Sequence, residues 1–177
     1  MPADVTARYA EAIVNVAGAE GVLDRVSNEL FQFARAMDDH PELRDRLTDT
    51  TIAIPDKLGI VSELLAERVH PQTLAALVYV IQAGRARLLT EICDAVVERA
   101  AQKRNRAVAE VRTAVPLDKD RLRRLAEAIE RTTGKKIDMK VVVDPSLLGG
   151  VVVRVGDMVI DGSVARRLDE LKARLVG

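Results

Sequence analysis

The apolar positions of the first hundred residues recur every three or four places, the spacing that gathers them on one side of a helix. From Val5, the residues Tyr9, Ala12, Ile13, Val16 and Ala17 form such a stripe, while Arg8, Glu11 and Asn15 fall on other faces. Gly18 and Gly21 end this first helix. Leu23, Val26, Leu30, Phe33 and Met37 advance by 3, 4, 3 and 4, a seam that neighbouring helices can bury, and His40-Pro41 stops it. A short helix carrying Leu43 and Leu47 follows. Pro55 then fits the first turn of a helix bearing Leu58, Val61, Leu64, Leu65 and Val69, before His70-Pro71 punctuates the chain again. Leu74, Leu77, Val78 and Ile81 define a fifth helix ending near Gly84, and Leu88, Leu89, Ile92, Val96 and Ala100 a long sixth. Helices joined by such short turns predict a bundle over residues 1–105.

Beyond residue 105 the period changes from helical to alternating. Ala109, Val111, Thr113 and Val115 alternate with Val108, Glu110, Arg112 and Ala114, which predicts a strand with one wetter face, halted by Pro116. Asp118 or a neighbour is placed to cap a helix bearing Leu122, Leu125, Ala126 and Ile129, with Gly134 as its stop. Ile137, Met139, Val141 and Val143 alternate as a second strand, and Asp144-Pro145 turns the chain. Gly149-Gly150 opens a third. Val151–Val155 and Met158–Ile160 then flank Gly156-Asp157 as a hairpin, because glycine supplies the positive φ that a tight turn demands. Ser163 can cap a last helix whose Val164, Leu168, Leu171 and Leu175 step by 4, 3 and 4. The predicted class is α+β: a six-helix bundle over residues 1–105, followed by a small α+β domain over residues 106–177.

Composition narrows the chemistry. The 177 residues hold 27 Lys+Arg and 27 Asp+Glu, so bulk charge gives no grip on nucleic acid, and 48% hydrophobic content is that of a packed protein. A difference between the halves remains, since residues 1–105 carry 12 basic and 16 acidic side chains and residues 106–177 carry 15 and 11. One cysteine, Cys93, excludes an internal disulfide and a thiolate metal cluster. The apolar runs are too short for a membrane span, and Asp4, Arg8 and Glu11 interrupt any secretory core, so membrane association is expected to be indirect.

No catalytic constellation is visible. His40 and His70 each precede a proline at a helix boundary and read as solvated turn residues. Cys93 lies in a helical pattern and reads as a small buried side chain. Thr133-Gly134-Lys135-Lys136 lacks the upstream glycine and strand of a phosphate loop, and reads as a helix end with exposed lysines. Asp38-Asp39 and Asp118/Asp120 mark a helix end and a helix start, and no cofactor or metal ligand set is expected. The basic residues Arg121, Arg123 and Arg124 are interleaved with Glu127 and Glu130, as on a solvated face. What remains is interaction surface. Tyr9 and the run Leu77-Val78-Tyr79-Val80-Ile81 carry more apolar area than one stripe facing a small core uses. They describe either a helix buried on two sides or a groove that receives an amphipathic helix from another protein.

A longer match now enters. Asp144-Pro145-Ser146-Leu147-Leu148-Gly149-Gly150, then Val151–Val155, then Gly156-Asp157-Met158-Val159-Ile160-Asp161-Gly162-Ser163-Val164 and Arg167-Leu168, resembles the C-terminal signature of the delta subunit of the rotary F-type ATP synthase. The mitochondrial counterpart of that family is the oligomycin-sensitivity-conferring protein. Arg8-Tyr9-Ala10-Glu11-Ala12 and Gly84-Arg85 with Leu88-Leu89 and Ile92 match the family in the same order, whereas Val80-Ile81-Gln82-Ala83 departs from its acidic and Asn or Lys residues.

The resemblance implies a non-catalytic peripheral-stalk subunit at the cytoplasmic face of a bacterial membrane. Its bundle would grip the N-terminal helix of an alpha subunit with the first and fifth helices, and its C-terminal domain would join the b-subunit stalk. It implies Tyr9, Ala12, Ile13, Val16, Leu77, Val78 and Ile81 as groove residues. For Gly149, Gly150, Arg154, Gly156, Asp161 and Gly162 it implies structural roles in the C-terminal domain. A charged residue at Ile13 or Leu77 is then expected to weaken helix binding without unfolding the bundle. A nucleic-acid adaptor using the basic second half is the alternative, and a small enzyme using carboxylates in a polar pocket stands behind it.

Overall fold

The computed structural model, which describes residues 2–147 and 149–162, has helices where the three- and four-residue periods place them. These are α1 (Pro2–Ala19), α2 (Leu23–Asp39), α3 (Pro41–Thr48), α4 (Ile54–Leu65), α5 (Pro71–Gln82) and α6 (Leu89–Lys103), with a 3-10 turn at Ala86–Leu88 before the last. Four of them, α1, α3, α4 and α5, have proline in their first turn, where its missing N–H costs nothing. The chain divides into two compact units, one ending at Ala100 and the other starting at Ala101, so the division lies inside α6 rather than after it.

The first unit closes around one apolar cluster. Leu30, Met37, Leu47, Leu77, Ile81, Leu89 and Ile92 are each at most 1% exposed within it. Burying side chains of this size is worth about 1.5–3 kcal/mol apiece relative to leaving them in water. Cys93 joins the same cluster, and burial, reinforced by the neighbouring Asp94 charge, pushes its thiol far above the usual range. The group is a small core side chain, because a thiol held protonated is a poor nucleophile.

The start of α5 is held by a residue from another helix. Glu29, on α2, accepts from the His70 backbone N–H at 2.8 Å and from the Thr73 hydroxyl at 2.6 Å, while Arg25 Nε donates to its other oxygen at 2.8 Å. His70 itself accepts from the Gln72 N–H through Nδ1 at 3.2 Å. It is therefore the cap of α5 and half-buried, not the solvated turn residue that its position before a proline suggests. At the far end Gly84 is left-handed, and the Arg85 and Gly84 N–H groups return to the Val80 and Ile81 carbonyls, the paired bonds of a Schellman cap.

The second unit is built on a four-stranded sheet of order β2-β1-β3-β4. The strands are β1 (Ala107–Thr113), β2 (Ile137–Val143), β3 (Val151–Val155) and β4 (Met158–Asp161), and α7 (Lys119–Thr133) crosses between the parallel pair β1 and β2. The pairing sets Val111 opposite Val141 on one side and Val153 on the other, so odd positions of β1 share a face. Ala109, Val111, Ile137 and Val153 pack there with Ile129 of α7. The other face is ionic: Arg112 pairs with Glu110 at 3.0 Å and Asp144 at 3.5 Å, and Asp138 pairs with Arg104 and Lys140. Asp118 caps α7 through the Arg121 N–H, and Gly134 ends it in the left-handed region, as predicted. The strand predicted to run to Val115 stops at Thr113, whose hydroxyl donates to the Val115 carbonyl and turns the chain before Pro116.

Two glycines of the hairpin have a direct physical reason. Gly156 has φ +56 and begins a two-residue turn, while Asp157 keeps a negative φ, the pattern of a type II′ turn. A Cβ on Gly162 would lie 3.2 Å from the Val151 carbonyl oxygen, which the Gly162 N–H already bonds. Gly149 and Gly150 also have positive φ, and Arg154 Nε donates to the Gly156 carbonyl across the turn. The last helix expected from Ser163 onward lies outside the described residues.

Glu29 supplies a test of this packing. Burial alone would raise its pKa, but the bonds from Thr73, Arg25 and the His70 N–H outweigh burial and hold it below the ordinary 4.5. A carboxylate depressed in the fold stabilises it above its unfolded value, and that contribution disappears as pH falls through the folded one. Glu29→Gln is expected to cost about 1–2 kcal/mol at neutral pH and progressively less as the pH falls below 4.5 and through the folded-state value. Thermal melts of both proteins across that range check this.

Candidate partner groove on the helical unit

Helices α1 and α5 run antiparallel where they meet, because Tyr9 touches Tyr79 at one end and Glu20 reaches Gln72 at the other. An apolar groove of about 290 Å³ lies between them. From α1 it takes Ala12, Ile13, Val16 and Ala17; from α5, Gln72, Ala75, Ala76 and Tyr79; and α2 adds Val26. Val16 and Tyr79 are the open walls, 52% and 55% exposed, whereas Ile13 at 8% belongs to both groove and core. Four alanines make the groove roomy. Tyr9 is half-buried and does not line the groove itself, but its ring meets that of Tyr79 at the groove's end, 5.3 Å between centroids at a 47° tilt.

The α5 residues are placed differently from the sequence expectation. Leu77 and Ile81 are each 1% exposed in the core, Val78 is half-buried, and none of the three lines the groove. The reason is rotational. Successive helical residues are about 100° apart, so Leu77 and Tyr79 point in nearly opposite directions, and the inward direction is already filled by Leu77, Val80 and Ile81. Gln72, Ala75 and Tyr79 therefore turn together to the groove side, with Ala76 as its buried floor. Their spacing of 3, 4 and 7 from Gln72 was visible, but alanines carry little weight in a hydrophobic pattern.

Other candidate chemistry is structural in this fold. Arg121 and Arg123 pair with Asp118 and Asp120 at 3.3 and 3.2 Å, so α7 neutralises part of its own basic face. Lys135, Lys136 and Gly134 border a shallow hollow with Glu127 and Glu130, and Glu130 accepts from Lys136 Nζ and the Ile137 N–H. These two bonds hold the Glu130 carboxyl below its ordinary range. Among the described residues no group of three or more His, Cys, Asp or Glu is arranged to hold a metal. On the second unit, the edge strand β4 leaves Met158, Val159 and Ile160 exposed.

A family model described as ATP synthase delta (OSCP) subunit matches residues 5–175. The chain belongs to that family. Among curated delta subunits, that of Parafrankia sp. (strain EAN1pec) is 41% identical over 173 residues, covering 94% of this chain and 61% of the relative. The delta subunit of Acidothermus cellulolyticus is 40% identical over 164 residues, covering 93% and 60%. The chain thus spans about three fifths of the length of these relatives. A chain of the Toxoplasma gondii mitochondrial ATP synthase hexamer, solved by cryo-EM, shares the fold, with a TM-score of 0.61 over 97% of both chains at 23% identity.

The placement of α5 separates two kinds of substitution. Leu77→Asp puts a charge into the core and is expected to cost more than about 3 kcal/mol, enough to abolish a cooperative melt. Val16→Asp and Tyr79→Asp face solvent and are expected to melt within a few degrees of the parent. Circular dichroism on the three variants distinguishes the cases.

Proposed function

We propose that this chain is a non-catalytic peripheral-stalk subunit of a proton-driven ATP synthase. In this reading the helical unit holds the N-terminal helix of an alpha subunit of the catalytic head, and the sheet unit joins the b-subunit stalk. The observation that carries the proposal is the open apolar groove between α1 and α5 in a chain of the delta family. A packed bundle has no need to leave Val16 and Tyr79 half in water beside an alanine-lined trough, whereas an incoming amphipathic helix fills that trough with large side chains. The exposed β4 edge with Met158, Val159 and Ile160 supports a second attachment on the other unit.

The mechanism is mechanical. Proton flow turns a rotor, the catalytic head is dragged with it, and a subunit bonded to both head and stalk resists the torque. Such a link works through buried apolar area and slow dissociation rather than through reacting groups. No helix among the described residues is long and apolar enough to cross a membrane. In this reading the subunit is held through its partners at the cytoplasmic face of the bacterial membrane.

Calorimetric titration of the chain with a synthetic peptide of the alpha subunit's N-terminal helix, from the same organism, tests the reading. One-to-one binding is expected, absent with a scrambled peptide. Val16→Asp or Tyr79→Asp is expected to weaken it about tenfold or more, the loss of one well-buried interface contact. A folded protein that ignores the peptide would overturn the proposal.

A further inference from the structure

The groove has two unlike ends. On α1 the stripe Tyr9, Ile13 and Val16 continues at the same spacing to Glu20, one residue beyond the helix and still bonded through its N–H to the Val16 carbonyl at 3.2 Å. Opposite it, Gln72 of α5 donates its side-chain amide to both oxygens of the Glu20 carboxylate, at 2.7 and 2.6 Å. Tyr9 and Tyr79 stand at the other end, eleven residues or about 16 Å of helix away. The trough is therefore about three turns long, aromatic at one end and carboxylate at the other.

The amide of Gln72 is neutral, so the Glu20 charge is solvated but not compensated. Among the described residues Glu20 makes no ion pair. The acidic excess of residues 1–105 adds to the same field. A helix settling on Val16 and Tyr79 displaces water beside this carboxylate, and a desolvated charge opposes binding unless a cation meets it. A guanidinium or ammonium can do so because each carboxylate oxygen keeps a lone pair beyond the one used by Gln72.

We infer that Glu20 is the charge-selecting end of the groove. The helix received there carries a lysine or arginine about three turns from the bulky apolar side chain that packs at the Tyr9–Tyr79 end. The inference rests on the groove being the partner-helix site, and it adds the register and the charge of the helix that fits.

The test uses the full chain and the alpha-subunit peptide, with Glu20→Gln, Glu20→Lys and Glu11→Lys variants, each first shown to melt like the parent. Glu11 is exposed, makes the same change in net charge, and lies nine residues away, about 180° round α1 from Glu20. At low salt Glu20→Lys is expected to weaken binding about tenfold and Glu20→Gln about threefold, both effects shrinking in high salt, with Glu11→Lys under about twofold. Replacing the peptide's basic residue at that end with glutamate is expected to restore binding to the Glu20→Lys protein. Unchanged affinity in the Glu20 variants, an equal effect of Glu11→Lys, or tight binding by a peptide with no basic residue there would overturn the inference while leaving the groove assignment standing. If the parent protein does not bind the peptide, the groove assignment fails and the inference with it.

Discussion

One carboxylate on α2 decides where α5 begins. The first N–H groups of any helix lack partners within it, and α5 starts at a proline with a histidine before it, a sequence with no serine, threonine or aspartate cap of its own. The His70 ring takes the Gln72 N–H in their place, and Glu29, 41 residues upstream, holds that cap by accepting from the His70 N–H and ties the first turn further through the Thr73 hydroxyl, which is fully buried. The register of α5 follows. With its N-terminus pinned to α2, the helix turns Leu77, Val80 and Ile81 inward and leaves Gln72, Ala75 and Tyr79 beside α1. The groove is the space left over by that rotation.

This explains which parts of the molecule were readable from the chain alone. Local signals sufficed for the helices, for the Asp118 and Gly134 ends of α7 and for the Gly156 turn, because each is a bargain between neighbouring residues. Long-range terms were invisible. Nothing in the spacing of Leu77 and Tyr79 says which flank faces the core until α2 fixes α5, so the sequence points to Leu77, Val78 and Ile81, whereas the trough between α1 and α5 is lined by Gln72, Ala75, Ala76 and Tyr79. The trans cap from Glu29 and the change of His70 from turn residue to cap have the same origin, a contact between residues far apart in sequence. The parallel pairing of β1 with β2 was likewise open, since alternation describes a strand but not its neighbour.

The two units solve the burial problem differently. The helical unit buries large aliphatic side chains from every helix around one cluster, and its exposed apolar surface includes the walls of one trough. The sheet unit has a small core under α7 and gives its second face to ion pairs among Arg104, Glu110, Arg112, Asp138, Lys140 and Asp144. Charged ladders of this kind contribute little net stability, yet they specify strand register, since a slip by two residues would set Glu110 against Asp138 and Arg112 against Lys140. A unit with a modest core and a strongly specified register suits attachment by its edge.

The contact between Tyr9 and Tyr79 has an optical consequence. The chain has two tyrosines and no tryptophan, and both tyrosines stand at one end of the trough. All of its intrinsic phenolic emission, and nearly all of its aromatic circular dichroism, therefore originates within a few ångströms of that end. The molecule thus carries a built-in chromophore pair whose coupling registers, without a label, any change in packing at that end of the trough.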